Sequence, residues 1–331
     1  MTTSFPLLKL PLIALEPIIN QLDFLDLMQI SMKSTKLKCL LELLKLSVQS
    51  LHFFITERSY EIWIRRNRKT SQIDTCDSVP VDTVMKLGKI LGEPVEIWKH
   101  TRNEVKVKSD LSKLATLEAI TKFILSISRV AKYSLTFDDA ETEIRNLFIW
   151  QITTQMYKLH ISSNGSHVKI SPEDLVFILE ELTVDRLELN VYCPGFEYQK
   201  PIKHPIFVVE SPCWIDFDKF SLASNIKHAT FLNQKVSDDV LNRLIENWAK
   251  GKNPKLREVK FTWEEYDPLA WEQQFPQSRT ILPNRNIEQL RARCMIHRVM
   301  RDFDHRSIIY TMKLSVVGDL GVDEIHLEDQ I

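Results

Sequence analysis

The first forty residues limit most tightly what this chain can become. Leu15, Ile18, Ile19 and Leu22 recur at i, i+3, i+4 and i+7, which puts one apolar stripe on a first helix. Leu27 and Ile30 share a face on a second helix, and Leu37, Leu40, Leu41 and Leu44 repeat the spacing on a third. Asp23, with Asp26 three residues on, reads as the cap of the second helix, and Ser34 as the cap of the third. A proline inside a helix removes a hydrogen bond, so Pro17 predicts that the first helix starts near Leu15 or Glu16, where proline is tolerated in the first turn. Three short helices enclose too little core to be stable alone. Either the rest of the chain or another protein must cover them.

Composition excludes several classes. At 331 residues the chain exceeds one typical core, so two domains, or a small module plus a larger body, are expected. The net charge of −1 gives no global field to attract nucleic acid or an anionic membrane. No uncharged apolar run reaches the roughly 18 residues a spanning helix needs. Lys9 and Glu16 interrupt the N-terminal apolar run, which has no basic lead-in and no small-residue cleavage site, so it is a poor signal peptide and cytoplasm or nucleus is the expected compartment. The five cysteines, at 39, 76, 193, 213 and 294, never form Cys-x-x-Cys and read as reduced thiols that act as small hydrophobes. Only seven glycines occur, and neither a dinucleotide-binding fingerprint nor a P-loop is present, so no cofactor is expected. The nine histidines never pair across one helical turn around a glutamate, and no Gly-x-Ser-x-Gly elbow exists, so no metal or catalytic site is predicted.

Beyond the opening helices, residues 47–62 read as a strand pair turning at Thr56–Ser59. Residues 65–80 begin with the basic run Arg65 to Lys69. They suit either a nuclear signal or a solvated hairpin end and loop, and flanking Glu57, Glu61, Asp74 and Asp77 favour the second. From about residue 110 helices and short strands alternate every 20–30 residues. Helical spacing runs through Leu117, Ile120, Ile124, Leu125 and Ile127, and strands are expected at 133–137, 157–161, 185–190, 226–232 and 256–263. Ser171 with Pro172 marks one helix start and Ser237 another, with Leu241, Leu244, Ile245 and Trp248 inward. Gly251 suits the cap that ends this second helix, and Asn253-Pro254 prevents its continuation. Arg291, Arg293, His297, Arg298 and Arg301 gather on a predicted helix over 287–301. Nearby acidic residues make that a solvated face rather than a nucleic-acid patch. A terminal strand at 307–317, hairpinned with 324–327, completes the reading. The fold class is mixed α+β, a small helical module followed by a degenerate leucine-rich-repeat-like α/β body.

Two stretches carry a family resemblance. Leu10-Pro11, Leu15, Ile18-Ile19, Leu22-Asp23, Leu25-Asp26-Leu27, Ile30-Ser31 and Ser34-Thr35-Lys36 resemble an F-box, in particular the version of the nematode families that opens Phe-Pro-Leu-Leu-x-Leu-Pro. Leu37 or Leu40 stands where many F-boxes carry a tryptophan. Cys213-Trp214-Ile215 and Trp248-x-x-Gly251-x-Asn253-Pro254-x-Leu256 resemble the F-box-associated domain of type 2 in the same proteins. The resemblance implies an F-box over 4–50, a connecting β-rich region over 51–110, an F-box-associated repeat-like domain over 111–265, and a helix and strand extension over 266–331. It implies a substrate-recognition subunit of an SCF-type E3 ubiquitin ligase, not itself an enzyme. Leu10, Pro11, Leu15, Ile18, Ile19, Leu22, Leu27 and Ile30 would bind the Skp-type adaptor of a cullin ligase complex. The body would bind an unknown substrate protein, with no nucleic acid and no membrane involved. The alternative is a repeat-type interaction scaffold without a ligase role, its first helices merely capping the core.

Overall fold

The computed structural model describes residues 11–57, 59–78, 86–90, 92–138, 143–162, 168–210, 212–220, 222, 225–232, 238–249, 252–253, 255–264, 292–300 and 307–316. It is mixed α+β and rich in sheet, and it divides into two compact units, Met1–Asn190 and Val191–Ile331.

The first unit opens with α1 (Leu12–Gln21), α2 (Phe24–Lys33) and α3 (Thr35–Leu44). Helix α1 starts at Leu12, not near Leu15: the amides of Ala14 and Leu15 both donate to the Pro11 carbonyl, at 3.0 and 3.1 Å. Pro17 therefore lies inside the helix and cannot donate to the carbonyl of Ile13. Pro17 itself is exposed. Ser34 caps α3 as expected, its hydroxyl accepting from the Leu37 amide at 3.2 Å. Asp23 occupies the cap position of α2, but its side chain makes no capping bond and accepts from Lys69 Nζ at 2.6 Å instead. A lysine on an adjoining hairpin has taken the carboxylate that local capping would have used.

Then come β1 (Leu46–Val48), β2 (Ser50–Thr56), β3 (Tyr60–Arg66), β4 (Lys69–Thr75), β5 (Lys86–Ile90), β6 (Glu93–Thr101), β7 (Glu104–Lys108), α4 (Lys113–Ile127), β8 (Ser128–Val130) and β9 (Tyr133–Asp138). The unit ends with α5 (Ile149–Ile152), β10 (Gln155–Ile161), β11 (Val168–Lys169), α6 (Pro172–Glu180) and β12 (Thr183–Tyr192). The strand pair turning at 56–59 is present as β2 and β3. The basic run, however, does not lead into a loop. Asn67 and Arg68, at φ 51° and 62°, form a two-residue left-handed turn, and the chain returns as β4. Alternation in Ser71, Ile73 and Thr75, all buried, is what makes that segment a strand.

The sheet of this unit runs in the order β12-β10-β9-β2-β3-β4-β7-β6-β5. Strands β2, β9, β10 and β12 are mutually parallel. Their register aligns Phe53, Leu135, Leu159 and Leu187 in one inward row, and Ile55, Phe137, Ile161 and Leu189 in the next. All eight side chains are buried, so the core of the unit is built of cross-strand apolar ladders. Helix α4 packs against β3 and β4, and its stripe Leu117, Ile120, Ile124 and Ile127 is buried. Ser171 caps α6, accepting from the Asp174 amide at 3.1 Å with Pro172 in the first turn, as its sequence predicts.

The second unit contains β13 (Ile206–Glu210), α7 (Phe217–Phe220), β14 (His228–Leu232), α8 (Asp238–Ala249), β15 (Glu258–Glu264), β16 (Ala292–Met300) and β17 (Ser307–Val316). Strands β13, β14 and β15 are parallel, β17 pairs antiparallel with β15, and β16 antiparallel with β17. The helix expected over 287–301 is thus a strand over its described part. Nine consecutive residues of Ala292–Met300 find partners in β17, and that ladder overrides the local helical spacing. Ser237, Gly251, Pro254 and 324–327, which carried other expectations, lie outside the described residues.

Candidate partner-binding surfaces

The eight candidate adaptor-binding residues separate into two sets. Leu15, Ile19 and Leu27 are buried, together with Phe24, Leu25, Met28, Leu37 and Leu41, and α2 packs against α3 and β5 while α3 packs against α4. Pro11 is exposed, Ile18 and Leu22 are half-buried, and Ile30 is 45% exposed. Leu10 lies outside the described residues. Leu43, which the spacing did not single out, is 74% exposed. Ile30 on α2 and Leu43 on α3 are thus the two large apolar side chains these helices leave most exposed among the described residues.

The helices are also tied to the sheet beside them. Arg66, at the end of β3, is only 5% exposed. Its Nη1 donates to the carbonyl of Leu22 at 3.0 Å and its Nη2 to Asn20 Oδ1 at 2.9 Å, while Asn67 Nδ2 donates to the Asn20 carbonyl at 2.8 Å. Helix α1 has no basic residue in its own last turn, and the hairpin tip supplies both the cation and the donors its end needs. Burial lowers the pKa of the guanidinium, though the Asp23 carboxylate nearby counters this. The Lys69 bond holds the Asp23 carboxyl below its usual range despite some burial. The turn and the hairpin enclose a cleft of about 190 Å³ lined by Asn20, Leu22, Phe24, Arg66 and Ser71.

A second tie reverses the roles. Lys45, at φ 51°, ends α3 in the left-handed conformation. Its ammonium donates to the carbonyls of Leu125 and Ser126, at 3.2 and 2.7 Å, so it completes the end of α4. None of these four residues carried a local sequence signal for its role. Each partner lies at least 44 positions away, beyond the reach of capping patterns.

On the outward face of β10 and β12, Glu188 collects three donors. His160 Nδ1 lies 2.6 Å from Glu188 Oε2, Lys158 Nζ lies 2.8 Å from the same oxygen, and Arg186 Nε donates to Oε1. Burial raises the Glu188 pKa, but the bonds from His160, Lys158 and Arg186 outweigh it and hold the group at about 2. Ser162 Oγ is 2.6 Å from His160 Nε2, which completes a serine–histidine–carboxylate line. Lys158 and Arg186 both bond the carboxylate, so the cluster ties β10 to β12 through ion pairs.

In the second unit the signature around Trp248 is built into the fold. Trp248 is buried at the end of α8 and its indole donates to the Leu256 carbonyl at 3.1 Å. Leu256 N donates to the Asn253 carbonyl at 3.2 Å, and Leu256 is itself buried. The motif closes the path from helix to strand, which agrees with reading it as structural. Beneath it Phe231 stacks on Phe261 with centroids 5.2 Å apart, and Phe217 and Phe220 meet Phe231 edge-on at 5.1 and 4.9 Å.

Comparison with known families matches residues 201–261 to the family described as F-box associated. The match contains β13, β14 and α8 with the Trp248 and Asn253 signature. No curated protein matches the chain significantly, and no solved structure does.

Proposed function

We propose that this chain is the substrate-recognition subunit of an SCF-type E3 ubiquitin ligase. Its N-terminal helices bind a Skp-type adaptor, its F-box-associated region and the leucine-rich-repeat-like sheets around it serve target recognition, and ubiquitin transfer is left to other subunits. The F-box associated match over 201–261 carries the reading. Three short helices that leave Ile30 and Leu43 in water support it, because adaptor binding through a helical face relies on a few apolar anchors. Within this reading Pro11, Ile18, Leu22 and Ile30 touch the adaptor, while Leu15, Ile19 and Leu27 shape the helices that present them. The chain itself carries out no chemistry, and it works in the cytoplasm or nucleus.

The test is a pull-down with the purified adaptor. The intact chain is retained, and a variant carrying Pro11→Ala and Leu22→Asp is lost. Absence of binding by the intact chain, or equal binding by both, overturns the assignment. A second reading, a scaffold with no ligase role, is favoured by one observation: Arg66 and Asn67 fasten the end of α1 to the sheet, as a capping element would be fastened. It predicts no adaptor binding by either chain.

A further inference from the structure

The outward face of the first unit's sheet has an order of its own. One row across the strands reads Arg186, Lys158, Ser134, His52, Trp63, Gln72 and Glu104. The row beside it reads Glu188, His160, Thr136, Phe54, Glu61, Asp74 and Lys106. At one end two cations, Lys158 and Arg186, share the single carboxylate of Glu188. At the other end Asp74 and Glu104 face one ammonium, Lys106, at 3.2 and 4.0 Å, while Glu61 accepts from Trp63 Nε1 and Gln72 Nε2 at 2.7 and 2.9 Å. Arg65 lies one row toward the hairpin turn, opposite Thr70.

Between the charged ends lies an aromatic cluster. His52 stacks on Phe54 with centroids 4.1 Å apart, and Phe54 meets Trp63 at 4.6 Å. Trp63 is 38% exposed, and its indole nitrogen is already committed to Glu61 at 2.7 Å, so its ring offers apolar surface to a partner. His52 bonds Thr136 at 2.9 Å, and burial together with Lys158 and His160 pushes its pKa to about 4. It therefore adds a neutral ring to the cluster at neutral pH. Aromatic side chains in a partly desolvated centre with polar surroundings are the residues that dominate protein–protein binding energy. Opposite charges at the two ends fix the orientation of what binds.

We propose that this face docks an extended segment of a partner protein. The segment lies across the strands with acidic side chains over Lys158 and Arg186, a large apolar side chain on Phe54 and Trp63, and basic side chains over Glu61, Asp74 and Glu104. Six inter-strand steps of about 4.8 Å separate β12 from β7, so the segment spans roughly 29 Å, or about nine extended residues. A nucleic acid would be repelled from the acidic end. The face lies outside 201–261, so the proposal draws only its biological meaning from the receptor reading. Its test involves no adaptor.

The probe is a fluorescein-labelled nine-residue peptide with two aspartates, two glycine or serine spacers, two leucines, one more spacer and two lysines, titrated into the full-length chain by anisotropy. Saturable binding is expected, weakened about tenfold or more by Trp63→Ala and to a similar extent by the pair Lys158→Glu and Arg186→Glu. The pair should in turn bind a peptide with lysines at both ends more tightly than the unaltered chain does, a gain that a misfolded variant cannot show. No saturable binding, or affinity unchanged by Trp63→Ala, overturns the proposal. So does sedimentation showing a dimer that Trp63→Ala dissolves, because the occupant would then be a second copy of this chain.

Discussion

Arg66 Nη1 donates to the carbonyl of Leu22 at 3.0 Å, so a side chain from the β3–β4 hairpin finishes the first helix of the chain. The bond joins the region that resembles an F-box to the sheet beside it. The adaptor-facing helices of the receptor reading are therefore presented rigidly rather than on a loose tether.

Arg66→Met should destabilise the chain by about 1–2 kcal/mol, because the half-buried Leu22 carbonyl loses its donor, while water can replace the bond to exposed Asn20. Hydrogen exchange would localise the loss. Amides of α1 should exchange faster relative to wild type, while those of β9, β10 and β12 stay protected. Uniform loss over the whole first unit would show that Arg66 acts on the sheet core instead.

Lys45→Met removes the ammonium that completes α4 and should cost about 1–2 kcal/mol, measured by urea denaturation. High salt should not mimic it fully, since the two carbonyl bonds persist where long-range attraction is screened.

Trp248→Phe keeps the aromatic volume but removes the donor to the Leu256 carbonyl. The expected loss is about 1–3 kcal/mol, read as a lower melting temperature, with β-sheet content unchanged by circular dichroism. A variant as stable as the parent would mean that the signature in 201–261 is not structural.

Acid should weaken the fold in two stages. His52 is held down from 6.5 to about 4 by burial and by Lys158 and His160. Between those values the unfolded chain takes up a proton that the folded chain refuses, so stability falls as pH drops from 6.5 toward 4. Glu188, held at about 2 against 4.5, stabilises the fold above 4.5, and this contribution is lost as pH falls toward 2. Denaturation midpoints taken across pH should show both stages. His52→Phe should flatten the upper one and leave the lower one in place, and superimposable curves for the two chains would refute this assignment.

The sequence revealed these features unevenly, for physical reasons. Ser34, Ser171 and the strands expected at 133–137, 157–161 and 185–190 were legible because a cap needs only three residues and a strand needs alternation, both local signals. Asp23 misled because its local pattern competed with Lys69, 46 positions away. Arg66 looked like part of a solvated basic run, since nothing in residues 65–69 shows that the end of α1 lies against it. The 292–300 strand was read as a helix because its basic residues recur at helical spacing, and only the ladder to β17 decides against it. Among the candidate adaptor residues, apolar spacing identified the helical stripes but not which leucines face inward. That division depends on how three helices meet one another and the sheet.

The most direct test of the account is calorimetric titration of the full-length chain with a purified Skp-type adaptor, alongside a variant carrying Ile18→Asp and Ile30→Asp at partly exposed positions. A one-to-one complex is expected for the unaltered chain and at least a hundredfold weaker binding for the variant, with its melting temperature nearly unchanged. No heat of binding from the unaltered chain, or equal affinity in both, would contradict the claim that these helices are an adaptor-docking module.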